Sequence, residues 1–180
     1  MLQFYKPAKT GRGSAASFQL ASKDGAVFVQ IVKQTDNPEE PFKNGQKVNI
    51  KLGVMELNAI CDAIENKIEW STVHKGEGYS TTINFAPYIV KEEHKGYGLK
   101  IYKKADGQEK ADGFLIGFNF IESRRLIKWF DFAQEHIDLA DYALDKAKAK
   151  EYVEKKAKEA VKPAPAPKVE TPAETDEFVL

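Results

Sequence analysis

The chain has 180 residues, 42% of them hydrophobic and 11% aromatic, and its 27 Lys and Arg balance 27 Asp and Glu to a formal net charge of zero. That length and apolar content support a domain with its own core and exclude a wholly disordered chain. No run approaches the roughly eighteen apolar residues of a membrane span, and the first ten residues lack the apolar segment of a secretion signal. The single cysteine, Cys61, excludes an internal disulfide, so the expected compartment is the reducing cytoplasm.

Residues 1–13 read as an irregular arm, broken by Pro7 and the Gly11-Arg12-Gly13 run. Residues 14–21 can form a strand, and Lys23-Asp24-Gly25 is a hairpin turn with Asp-Gly at its centre. Residues 26–34, rich in Val, Ile and Phe, make a second strand. A polar loop with Asn-Pro, Glu-Glu-Pro and Asn-Gly leads to a third over 47–52. A short helix follows, with Val54, Leu57, Ile60, Cys61 and Ile64 at three- and four-residue spacing.

The pattern recurs in longer form. Strands are expected at 68–74, 79–86, 97–103 and 113–121, and a second helix from about Glu122. Its apolar positions Leu126, Phe130, Ala133, Ile137, Ala140 and Leu144 alternate four- and three-residue steps. Trp129 and Phe132 widen that stripe beyond what one sheet needs, which favours an oligomeric helix core. The expected fold class is α+β: two antiparallel sheets, each followed by a helix, in the order β-β-β-α then β-β-β-β-α. The expected organisation is one domain over 1–144, an Ala-, Lys- and Glu-rich helical extension over 145–162, and a disordered tail over 163–180.

In that tail prolines fix φ and remove backbone donors, so the Pro163-Ala-Pro-Ala-Pro spacer cannot join a helix or sheet. It ends in Asp176, Glu177, Phe178, Val179 and Leu180, two acids followed by three apolar residues. This tip resembles the C-terminal end of bacterial single-stranded-DNA-binding proteins, which implies a docking peptide for replication or repair partners. Residues 1–162 hold 26 of the 27 basic and 23 of the 27 acidic residues. A mildly basic body on an acidic tether fits a polyanion binder that carries its own competitor.

Nothing in the sequence points to catalysis. His74, His94 and His136 are scattered, with no cysteine or carboxylate at metal-ligand spacing. Gly11-Arg-Gly13 and Gly76-Glu-Gly78 are too short for a phosphate-cradling loop and precede strands. Cys61 sits among apolar residues at helical spacing, the setting of a structural thiol. No enzyme activity, cofactor or metal is expected.

Several stretches carry a family resemblance. They are Ser22-Lys-Asp-Gly-Ala-Val-Phe-Val-Gln-Ile31, Val48-Asn-Ile-Lys-Leu-Gly-Val-Met-Glu-Leu-Asn-Ala-Ile60, Glu69-Trp-Ser-Thr-Val-His-Lys-Gly76, and residues 114–136. Their order and spacing over about residues 11–140 resemble the plant Whirly proteins, relatives of the Pur and positive-cofactor-four single-strand binders. The family's Lys-Gly-Lys-Ala-Ala-Leu element is matched only loosely, by Gly11-Arg-Gly-Ser-Ala-Ala16. The resemblance implies a homotetramer with helices at its centre and single-stranded DNA lying across and between sheets. It also implies a role in replication, recombination or repair, at a nucleoid or a viral replication site. A transcription regulator or an RNA-binding protein of the same fold is the alternative.

Single strands are held by stacking bases on aromatic faces and by tracking phosphates with Lys and Arg. Strand alternation puts Val27, Val29 and Ile31 inward and so Phe28 and Gln30 outward. The same reasoning turns Asn84, Lys100 and Tyr102 outward. Trp70, Tyr79 and Tyr97 fall at strand ends near Lys75 and Lys95, suiting the edge of a stacking platform. In the arm, Lys9 and Arg12 are candidate phosphate clamps. The nucleic-acid site expected from sequence is therefore Lys9, Arg12, Phe28, Gln30, Trp70, Lys75, Tyr79, Asn84, Tyr97, Lys100 and Tyr102.

Overall fold

The computed structural model describes residues 1–160, with side chains through residue 156. The tail over 163–180, with the tip Asp176, Glu177, Phe178, Val179 and Leu180, lies outside the described residues. Met1–Ala143 make up one compact unit, and a second begins at Leu144.

The first unit is built from the same motif twice. Strands β1 (Leu2–Lys6), β2 (Ser14–Ala21), β3 (Ala26–Lys33) and β4 (Lys47–Gly53) form an antiparallel sheet in that order, followed by helix α1 (Val54–Asn66). Strands β5 (Trp70–Gly76), β6 (Tyr79–Val90), β7 (Glu93–Ala105) and β8 (Asp112–Phe118) form the second sheet, again in order. Helix α2 follows as Phe120–Ala160. The expected class, two antiparallel sheets each followed by a helix, is what the chain adopts.

One expectation is corrected. The start of the expected arm is strand β1, which pairs with β2 in the register Leu2↔Phe18 to Lys6↔Ser14. Its reason is alternation: Leu2 and Phe4 are buried while Gln3 and Tyr5 face out. Only residues 7–13 remain irregular. The two halves are therefore equal, four strands and a helix each. The first hairpin closes as expected at Gly25, whose φ of 58° takes the left-handed conformation that ends a single 3₁₀ turn over Ser22–Asp24.

Both sheets and both helices share one core. β3 gives Val27, Val29 and Ile31, all fully buried, and β4 adds Val48, Ile50 and Leu52. From sheet 2 come Ile83, Phe85, Leu99, Ile101, Phe114 and Ile116. Phe118, the last residue of β8, joins the halves: its ring lies 5.0 Å from Phe4 and 6.3 Å from Phe18 of sheet 1, and 6.3 Å from Phe85 of sheet 2. Each fully buried side chain of this size contributes about 1.5–3 kcal/mol before entropy is counted.

The helices cover this core with most of the stripes the spacing predicted, although Val54 and Cys61 are only partly buried and Leu144 is exposed. Leu57, Ile60, Ala63 and Ile64 of α1 are buried, as are Leu126, Phe130, Ala133 and Ile137 of α2. The first four residues of the α2 stripe are thus used inside the chain. Trp129 also packs inward, 6.2 Å from Phe18. The large hydrophobic residues that stay exposed on α2 before Ala143 are Phe120, Ile121, Phe132, Leu139 and Tyr142. Among the described residues no helix is long and apolar enough to cross a membrane.

Candidate nucleic-acid interface

Because both sheets bury one face, each presents the other to solvent, and cross-strand register sorts that face into rows. On sheet 1 the first row is Gln19, Phe28 and Lys51, on β2, β3 and β4. The second is Gln3, Ser17, Gln30 and Asn49, a line of amides and one hydroxyl across all four strands. Within it the Gln30 amide donates to Asn49 Oδ1 at 2.9 Å. The third is Tyr5, Ala15, Val32 and Lys47. Tyr5 meets Phe42 of the β3–β4 loop with ring centroids 6.0 Å apart.

These rows enclose a shallow trough of two joined depressions of about 400 and 190 Å³, sharing Ser17 and Gln30. Phe28 stands at one end, 42% exposed, and Tyr5 at the other, 60% exposed. Both rings thus keep a free face at a polar groove, which is what base stacking requires.

Sheet 2 presents a different surface. Its outward rows are Lys75, Ser80 and Lys104, then Val73, Thr82, Tyr102 and Gly113, then Ser71, Asn84, Lys100 and Leu115. Lys75, Lys100 and Lys104 are exposed, and among the described residues none forms an ion pair. Tyr102 is 44% exposed and its ring lies over Gly113, where an added Cβ would stand 3.2 Å from Cε1. Asn84 is not wholly free, because its amide donates to Glu69 Oε1.

The loop between β1 and β2 is held rather than loose. Gln34 Oε1 accepts from the backbone N–H of Ala8 at 2.8 Å and of Gly13 at 3.0 Å, and its amide donates back to the Ala8 carbonyl. That side chain fixes residues 8–13 and with them the exposed Lys9 and Arg12. Arg12 lines two clefts that run to Leu115 of β8, one flanked by Lys33 and the other by Tyr88.

The structure thus places Phe28 and Gln30 on one outer face, Lys75, Asn84, Lys100 and Tyr102 on the other, and Lys9 and Arg12 in the connecting loop. Three expected site residues stand elsewhere. Tyr97 is buried: its ring stacks 5.6 Å from Phe85 and its hydroxyl donates to the Ile64 carbonyl at 2.6 Å, so no face is left for a base. It lies within the β6–β7 hairpin, whose strands run beyond the expected ends. Trp70 sits half-buried against the core, on the inner face of β5. Tyr79 shares the inward parity of Thr81 and Ile83 and projects past the core, where the Lys103 ammonium covers its ring at 4.3 Å.

Sequence reasoning missed Gln3, Tyr5, Ser17, Asn49, Lys47 and Lys51. The Leu-Gln-Phe-Tyr alternation of residues 2–5 carried the signal for the first two, but five residues beside Pro7 are too short a window to weigh. The charge reading also sharpens. Residues 1–143 hold 19 basic and 19 acidic residues, so the surplus read over 1–162 lies wholly in 144–162. Any attraction of the sheets for an anion comes from where lysines stand, not from net charge.

Among the described residues no group of three His, Cys, Asp or Glu side chains is placed to hold a metal ion. Cys61 is half-buried, and burial, then Asp131, Glu65 and Asp62, push its thiol up to about 12.

No protein-family model matches the chain, and no curated protein matches it in sequence. Solved structures do match. WHY3 from Arabidopsis thaliana superposes with a TM-score of 0.60 at 13% identity, covering 84% of this chain and 95% of that one. The plant transcriptional regulator PBF-2 gives 0.59 at 12% identity, with 81% and 85% covered. MRP1/MRP2 of Trypanosoma brucei gives 0.57 at 15% identity, with 73% and 81% covered. The expected Whirly-like fold is the fold of this chain.

Proposed function

We propose that this protein binds single-stranded nucleic acid, DNA above all, with little regard to base identity. The observation that carries the reading is the sheet 1 trough: two exposed aromatic rings, one on either side of a row of amides. An amide can both donate and accept, so it meets the edge of any unpaired base, while a duplex hides those edges. The unpaired lysines of sheet 2 add phosphate contacts. Binding and protection of strands, rather than catalysis, is what such a surface performs.

The body would act as a homotetramer, with the exposed α2 residues Phe132, Leu139 and Tyr142 at its centre. In the cell it would serve replication, recombination or repair in the cytoplasm, at a nucleoid or viral replication site. The tip Asp176, Glu177, Phe178, Val179 and Leu180 would recruit partner proteins. A transcription regulator or RNA-binding protein is the second reading, favoured by the similarity of fold to a plant transcriptional regulator.

A titration of labelled oligo-dT, repeated at several salt concentrations, tests the main reading. Competition with RNA and with duplex of equal length separates it from the second. Tight, salt-dependent binding of the single strand is expected; no binding at low salt overturns it. Deleting residues 163–180 is expected to leave DNA affinity unchanged or modestly raised while abolishing capture of partners.

A further inference from the structure

Resting on the reading of this chain as a single-strand binder, we propose that its two sheets divide the strand between them: sheet 1 takes the bases and sheet 2 grips the phosphates. The two outer faces are built from the same four-strand motif, yet their charges are arranged differently. On sheet 1 the outward residues of β1, β2 and β3 include no ionisable side chain other than the Tyr5 phenol. Its outward cations, Lys47 and Lys51, both stand on the edge strand β4. Four residues of strand separate them by about 13 Å. They form a rail along one rim of the trough.

That placement orients a bound strand. A phosphate backbone following the β4 rail points its bases inward, over the amides and toward Phe28 and Tyr5. The opposite arrangement, phosphates over β2 and bases outward, would lay anions on a surface with no cation beneath them. Amides and aromatic rings suit bases, whose edges and faces are neutral.

Sheet 2 reverses the pattern. Lys100 stands on β7, one of the two inner strands, between Asn84 and Leu115, and Lys104 lies two rows away on the same strand. Lys75 closes the row on the free edge of β5. Its outward aromatic among these rows, Tyr102, already has one face covered by the Gly113 backbone. Cations over the middle of a sheet attract a backbone that crosses it.

Two measurements on the full chain separate these roles: the slope of log affinity against log salt, and permanganate oxidation of thymines in bound oligo-dT. Permanganate attacks the face of an unstacked thymine, so bases seated against the trough are expected to be protected. The double variant Phe28→Ala/Tyr5→Ala is expected to restore thymine reactivity in the complex while leaving the salt slope unchanged. The triple variant Lys75→Gln/Lys100→Gln/Lys104→Gln is expected to keep the protection and to reduce the slope by about 2, at about 0.7 for each phosphate no longer neutralised. Circular dichroism melts show whether each variant is folded, and the single variants Phe28→Ala and Lys100→Gln replace any that is not. Thymines that stay reactive in the wild-type complex overturn the division of roles, as does an equal change of slope in both variants. Failure to bind oligo-dT at all overturns instead the reading on which it rests.

Discussion

Glu56 and Glu122 hold equivalent places in the two halves of the molecule. Each is the third residue of the helix that closes its half, and each accepts from the backbone N–H just before that helix: Gly53 for Glu56 at 3.0 Å, Asn119 for Glu122 at 2.9 Å. With its other oxygen each reaches a basic side chain on the first strand of the opposite half. Glu56 meets His74 of β5 at 2.6 Å, and Glu122 meets Lys6 of β1. The same residue type therefore caps its own helix and ties it to the other sheet, once in each direction.

The second of these ties is the more complete cap. Asn119 Oδ1 also accepts from the N–H groups of Ile121 and Glu122, giving a reciprocal capping box. Glu122→Ala removes half of that box and the link to β1, and is expected to cost about 1–2 kcal/mol. Glu122→Gln keeps the cap and loses only the partly exposed ion pair, about 0.5 kcal/mol. Urea denaturation of the two variants checks the ranking; an equal loss would mean that the pair, not the cap, carries the effect.

Tyr97 gives the clearest test of a corrected assignment. The Ile64 carbonyl belongs to the last turn of α1, which no residue of the helix can satisfy, and the Tyr97 hydroxyl supplies its donor. Tyr97→Phe leaves that buried carbonyl without the bond and is expected to cost about 1–2 kcal/mol. Affinity for oligo-dT should be unchanged, because the ring faces Phe85 rather than solvent. A loss of binding without a loss of stability would return Tyr97 to the interface.

The tip of the β6–β7 hairpin is strained. Lys91 and Glu92 form its two-residue turn between Val90 and Glu93, with φ of 49° and 66°. Both are left-handed, the conformation that Asn-Gly adopts readily and that a long side chain resists. Lys91→Asn with Glu92→Gly is expected to raise stability by about 1 kcal/mol. Thermal melts would show it, and an unchanged or lower midpoint would argue that the tip is held by something other than its turn chemistry.

How much of this was legible in the sequence follows from what each element buries. Strands β2, β3 and β4 and the faces of both helices were readable because long apolar periods point into one core: Val27, Val29 and Ile31 alternate without a break, and Leu126, Phe130, Ala133 and Ile137 keep a helical step. Strand β1 was not, since two inward residues make no period until β2 lies beside them. The outward placement of Phe28 and Tyr102 was legible because Val27 and Val29 flank the first and the inward residues Leu99 and Ile101 precede the second. Trp70 and Tyr79 do stand at strand ends, as the first residues of β5 and β6, but Tyr97 does not, because β7 begins four residues earlier at Glu93 and carries Tyr97 into the core. The amide row needed the register of three strand pairings, which no single segment of sequence contains.

Cys61 and Tyr97 are expected to lower stability on the alkaline side. Burial, helped by Asp131, Glu65 and Asp62, pushes the Cys61 thiol up from 9.0 to about 12, and burial also raises Tyr97 above 10.0. Between about pH 9 and 12 the unfolded chain has released the thiol proton while the native chain keeps it, so the native state binds more protons. Stability must then fall as pH rises through that window, and below pH 9 this group makes no pH-dependent contribution. Cys61→Ala should flatten the first part of that fall, leaving the part that begins near pH 10 with Tyr97. Because only the thiolate reacts with iodoacetamide, native Cys61 should also alkylate far more slowly at pH 8 than the urea-unfolded chain. Equal rates in the two states would show that the thiol is not held protonated, and the alkaline loss of stability would then need another source.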